Sequence, residues 1–106
     1  MSCRLRDLAS VIRSKNSGPY ELTLDIMFRE EADFCRAVEK NVINPELLMK
    51  LYRIPREKVL DIIAFPQAKA IKATIVRAMP SGALGERDVY GAQQHAPLME
   101  LVLEDW

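Results

Sequence analysis

Arg13, Ser14, Lys15 and Asn16 stand together in the stretch Arg13-Ser14-Lys15-Asn16-Ser17-Gly18-Pro19, wedged between two apolar runs. Two cations, short hydrogen-bonding side chains and a Gly-Pro turn are the ingredients of an anion site. Arg13 can hold a carboxylate bidentately and Lys15 can add a point charge, while Ser14, Asn16 and the Gly18 N–H complete a cradle. The same composition also makes an ordinary turn, in which Asn16 and Ser17 bond their own backbone. The spacing is neither that of a Walker A loop nor GxGxxG.

A second polar segment runs from Gly85 to Pro97 and holds the only histidine. His95 can act as a general base because its pKa lies near neutrality, with Asp88 or Glu86 to orient it and Tyr90 as an acid. Gln93 and Gln94 suit an amide, hydroxyl or carboxylate, and Arg87 joins them as a ligand contact. The plainer reading is a loop whose histidine and glutamines bond their own backbone. GxSxG is absent, and one histidine supplies no metal set, so neither a metal nor a cofactor is expected. Asp25 and Asp61 can form a carboxylate pair, although the solvent face of an alternating strand is the more ordinary place for them.

The elements that position these residues follow from hydrophobic period. Leu5, Leu8, Val11 and Ile12 fit a short helix, with Asp7 as its cap, or an irregular strand. Tyr20, Leu22, Leu24, Ile26 and Phe28 alternate with Glu21, Thr23 and Asp25, the pattern of a half-buried strand with a solvated polar face. From Glu31 to about Asn41 the period becomes helical, with Phe34, Cys35, Val38 and Val42 inward. Asn44-Pro45 starts a second helix, since Asn caps free N–H groups and Pro loses nothing at the first helical position. Val59–Phe65 reads as a central strand and Ile71–Arg77 as its antiparallel neighbour. Ser81–Pro97 reads as a long loop and Leu98–Glu104 as a closing strand. The expected fold is α+β, a mainly antiparallel sheet with two helices on one face, in a sandwich of ferredoxin-like type.

At 106 residues the chain is expected to form one domain, 1–106. Fifteen Lys and Arg balance fifteen Asp and Glu, so no global field recruits nucleic acid or anionic lipid. The aromatics are scattered without the interleaving that stacks bases. Cys3 and Cys35 fall in no CxxC or CxxH spacing and are read as reduced thiols. No apolar run approaches the roughly 20 residues that span a bilayer, and the first residues lack the apolar core of a secretion signal. A cytoplasmic location, without nucleic-acid or membrane partners, is the expectation.

Several segments together carry a resemblance: Leu5-Arg6-Asp7-Leu8-Ala9, Ile12 to Pro19, Thr23-Leu24-Asp25-Ile26, Pro80-Ser81-Gly82 and Arg87 to Leu98. Across nearly the whole chain they look like the uncharacterised, mainly bacterial domain-of-unknown-function family 4387. That family is similar to the small ferredoxin-like C-terminal domain of the acyclic terpene utilisation AtuA proteins. In the AtuA proteins the first loop reads like Arg-Ser-Gly-Asp-Lys-Gly. Here Arg13-Ser14 match, and Lys15-Asn16-Ser17-Gly18 replace the rest.

The resemblance implies a catabolic setting with organic-acid or acyl-CoA substrates. The leading expectation is an accessory subunit that docks on an AtuA-type large subunit and contributes Arg13 to Asn16 and the Tyr90–His95 loop to a shared site. One rival is a self-contained lyase or isomerase, built as a homo-oligomer, with His95 as base and Arg13 or Lys15 on a small organic anion. The other is a purely structural module.

Overall fold

In the computed structural model, which describes residues 2–16, 20–76, 96–104 and 106, the chain opens with β1 (Cys3–Arg4) and α1 (Leu5–Leu8). It continues through β2 (Ala9–Asn16), β3 (Glu21–Phe28), α2 (Glu31–Glu39) and α3 (Pro45–Tyr52). Then come β4 (Val59–Phe65), β5 (Ala70–Val76), α4 (Ala96–Met99) and β6 (Val102–Leu103). Two hairpins, β2–β3 and β4–β5, join along β3 and β5 into one antiparallel sheet ordered β2-β3-β5-β4. A two-stranded sheet of β1 and β6 ties the start of the chain to residues 102–103. The fold is α+β, as the alternation of periods led one to expect.

The core lies on one face of the large sheet. Leu22, Leu24, Ile26 and Phe28 of β3 and Ile71, Ala73 and Ile75 of β5 are buried there with Phe34 and Ala37 of α2 and Leu48 of α3. Leu5 of α1, Leu98 of α4 and Leu103 of β6 belong to the same cluster. Each large aliphatic or aromatic side chain so buried stabilises the fold by about 1.5–3 kcal/mol. The rings of Phe28 and Phe34 meet edge to face, 6.3 Å between centroids.

Local chemistry sets the helix ends. The Asn44 side chain accepts from the Leu47 N–H at 2.8 Å and donates to the Asn41 carbonyl at 2.8 Å, and Pro45 follows as the first helical residue. α2 stops two residues earlier than its apolar period suggests. Asn41 takes a left-handed φ of 52°, and the Asn41 and Val42 N–H groups turn back to the carbonyls of Val38 and Ala37. This is a Schellman closure built on asparagine. On the same helix Phe34 and Ala37 are buried while Cys35 and Val38 are exposed, so the inward face is narrower than expected. The small Ala37 side chain is what lets a helix sit close to a sheet.

Three further expectations are corrected. Asp7 lies inside α1 rather than capping it, and its carboxylate accepts from Arg4 Nε at 3.3 Å. Val59–Phe65 is an edge strand, not a central one, because β3 and β5 occupy the middle of the sheet. Leu98–Glu104 is not one strand: Pro97 and Leu98 fall in α4, and only Val102–Leu103 pair, with β1.

Candidate functional site

Arg13 to Asn16 are not part of a loop; they form the second half of β2, each opposite a residue of β3. Strand alternation divides them. Ser14 is buried on the core side, with Asn16 on the same face, whereas Arg13 and Lys15 point to the other face and are exposed. The four side chains therefore do not converge on one anion. Polar composition concealed the strand, since only Val11 and Ile12 advertise it by hydrophobicity.

The face that carries Arg13 and Lys15 is a grid of cross-strand neighbours. One row runs Arg13, Asp25, Lys72, Ile63 across β2, β3, β5 and β4; the next runs Lys15, Thr23, Thr74, Asp61; a third runs Val11, Met27, Ala70, Phe65. Arg13 Nε donates to Asp25 Oδ2 at 3.0 Å. Lys72 is the residue paired with Asp25 on its other flank. Thr23 and Asp25, expected on a solvated face, are both buried. They sit on a central strand with a side chain directly opposite on each flank, which withdraws them from water even though their strand alternates. No buried polar side-chain atom among the described residues lacks a hydrogen bond.

At the rim of this face lie residues that the search for polar chemistry passed over. Ile63 and Phe65 of β4 are 44% and 43% exposed, and Leu60, displaced by a bulge between Val59 and Asp61, is 47% exposed. The signal was in the sequence: Val59-Leu60-Asp61-Ile62-Ile63-Ala64-Phe65 carries a single charge, where edge strands usually carry several.

Gly18, Arg87, Tyr90, Gln93, Gln94 and His95 lie outside the described residues, as does most of the expected long loop. Asp25 and Asp61 share the charged face but sit on different strands and in different rows. Among the described residues no three of His, Cys, Asp and Glu gather where a metal could be held. Cys3 and Cys35 are free thiols. Burial pushes the Tyr52 phenol well above its ordinary range, so it stays neutral at any physiological pH. No described helix is long and apolar enough to cross a membrane.

The described part of the site offers an ion-paired polar centre and an apolar margin. No curated protein and no solved structure is detectably similar to the chain. Residues 5–102 match a domain of unknown function, DUF4387. A match over that span is nearly the whole chain, and the protein belongs to the DUF4387 family.

Proposed function

We propose that this protein is a small accessory subunit, AtuA-related, cytoplasmic and bacterial, which docks on an AtuA-type large subunit acting on organic acids or acyl-CoA compounds. The observation that supports the reading is the β4 edge. Leu60, Ile63 and Phe65 place three large apolar side chains, each more than two-fifths exposed, along one strand at the border of the sheet. Strand edges of this kind attract another chain, and proteins that leave them bare aggregate. Beside them stand Asp61 and the paired charges of the neighbouring rows, the polar surround that a specific interface has.

The partner's identity comes from the resemblance to the ferredoxin-like C-terminal domain of AtuA proteins, in which a small domain accompanies a large one. A shared site also suits the size of the chain, because ligand sites favour boundaries between domains. Within that site Arg13 and Lys15 face the partner, and the Tyr90–His95 segment supplies the remaining polar groups. Co-expression with an AtuA-type large subunit and purification through a tag on the large subunit tests the reading. The small chain is expected to co-purify in fixed stoichiometry; a monodisperse small protein indifferent to the large one contradicts it.

A further inference from the structure

Arg6 and Arg29 line one cleft, and among the described residues neither has an acidic partner there. The cleft, of about 420 Å³, lies beside the start of β2 and is walled by Arg6 of α1, Ala9, Ser10 and Ile12 of β2, Arg29 after β3, and Met99 of α4. Its volume falls within the roughly 300–1,000 Å³ usual for small-molecule sites. No carboxylate is among its described lining residues. The ion pairs formed among the described residues are Arg4–Asp7 and Arg13–Asp25, so the nearest acid to Arg6 in sequence, Asp7, is already engaged by Arg4.

The structure holds Arg29 in place before any ligand arrives. Its backbone N–H donates to the Leu8 carbonyl at 3.0 Å, and its Nη1 donates to the Asp7 carbonyl at 3.1 Å. Lys69 Nζ donates to the Arg29 carbonyl at 3.0 Å, which pins the same corner from the opposite hairpin and adds a third positive charge near it. A guanidinium carries five donors, so one bond to Asp7 leaves most of the fork for an anion. A β-bulge sits at the same spot: pairing slips between Ala9 and Val11, and Ser10 Oγ donates to the Met27 carbonyl. Bulges recur where a strand must re-aim a side chain beside a binding site.

We infer that this cleft is a binding site for a small organic anion, with Arg6 and Arg29 on its carboxylate or phosphate head and Ala9, Ile12 and Met99 against its aliphatic body. Paired guanidiniums recognise either head through charge-assisted bonds, and the apolar wall selects against inorganic ions. The site stands apart from the β4 edge and needs no second protein, so its failure and the failure of docking are read separately.

The experiment is calorimetric titration of the isolated full-length protein at low salt with sodium butyrate, butyl phosphate and, as the uncharged control, butanol. Saturable binding of butyrate, of butyl phosphate or of both is expected, with no heat from butanol; which anion binds identifies the head group. Arg6→Glu is expected to weaken binding about tenfold or more, the loss of one charge-assisted contact and its replacement by repulsion. Arg6 makes no hydrogen bond to a described residue, so this variant is expected to fold, with an unchanged melting temperature as the check. Arg29→Gln is expected to weaken binding comparably, and a far-ultraviolet spectrum keeps any unfolding visible. Absence of saturable binding by both anions, or equal binding by wild type and Arg6→Glu, overturns the inference.

Discussion

Arg13 and Asp25 face each other across β2 and β3, Nε to Oδ2 at 3.0 Å, with the arginine side chain 56% exposed and the aspartate side chain 13% exposed. The pair joins a solvated cation to a carboxylate that the sheet has largely withdrawn from water. It gives the arginine a structural partner within its own fold, and the unshared donors of its guanidinium remain on the exposed side.

This asymmetry predicts unequal costs. Asp25→Ala removes the buried charge together with its hydration cost, and leaves Arg13 free in water. Arg13→Ala leaves the largely buried Asp25 carboxylate without its ion-pair partner. A double-mutant cycle by urea unfolding is expected to give a coupling of about 1 kcal/mol, at the top of the range for exposed pairs and well below that for fully buried ones. Added salt should reduce it only in part, because one partner is sheltered.

The two ends of α3 should respond in opposite directions. Asn44→Ala removes the cap on Leu47 and is expected to destabilise the protein by about 1 kcal/mol. Arg53, which ends the helix at a left-handed φ of 55°, should be improved upon by glycine, which takes that conformation without a Cβ clash. Arg53→Gly is expected to stabilise by roughly 0.5–1 kcal/mol, read from the shift of the denaturation midpoint.

Tyr52 predicts an alkaline limit to stability. Its phenol is raised by burial in the folded state, so below its ordinary value of 10.0 both folded and unfolded chains hold the proton and pH has no effect through this group. Above that value the unfolded chain releases the proton while the folded chain retains it, and stability falls as pH rises. Urea unfolding between pH 9 and pH 11 should show the loss, and Tyr52→Phe should flatten the part of it that comes from this residue.

Trp106, the only tryptophan, is held by two cations at the C-terminal end of α2. The Arg36 guanidinium lies 5.4 Å and the Lys40 ammonium 5.8 Å from the ring, and both donate to the Trp106 carbonyl. Trp106→Ala is expected to cost about 1 kcal/mol or somewhat more, since cation–π contacts at partly exposed sites contribute about 0.5–1 kcal/mol each. Intrinsic fluorescence gives a second readout: Arg36→Gln should shift the emission maximum to the red before the global transition begins.

Much of the fold was legible because each segment wrote its own period. The alternation of Leu22, Leu24, Ile26 and Phe28 marked β3, Asn44-Pro45 marked the start of α3, and the β-branched runs around Ile62 and Ile75 marked the second hairpin. What escaped was set by neighbours. β2 is half polar, and its strand character comes from pairing with β3, which no local pattern in Arg13 to Asn16 records. The burial of Thr23 and Asp25 follows from β3 lying inside the sheet, and strand order is not written in any single strand. The anion cradle was drawn from composition in which Arg13 and Ser14 are adjacent; adjacency in a strand sends side chains to opposite faces. Arg6 and Arg29 stand 23 positions apart in sequence and line one cleft because Arg29 reaches back to the Asp7 carbonyl, a closeness the fold alone creates.

The central claim, that the exposed apolar residues of β4 are covered by a larger subunit, is tested most directly by titrating an AtuA-type large subunit with this protein and with its Ile63→Asp and Phe65→Asp variants. Lys50→Glu, on the exposed side of α3, serves as the control. Wild type and Lys50→Glu are expected to bind alike, while each β4 variant, still folded by circular dichroism, binds about tenfold more weakly or worse, as loss of an apolar anchor at an interface requires. Equal affinity of all four proteins, or no binding by any, contradicts the account.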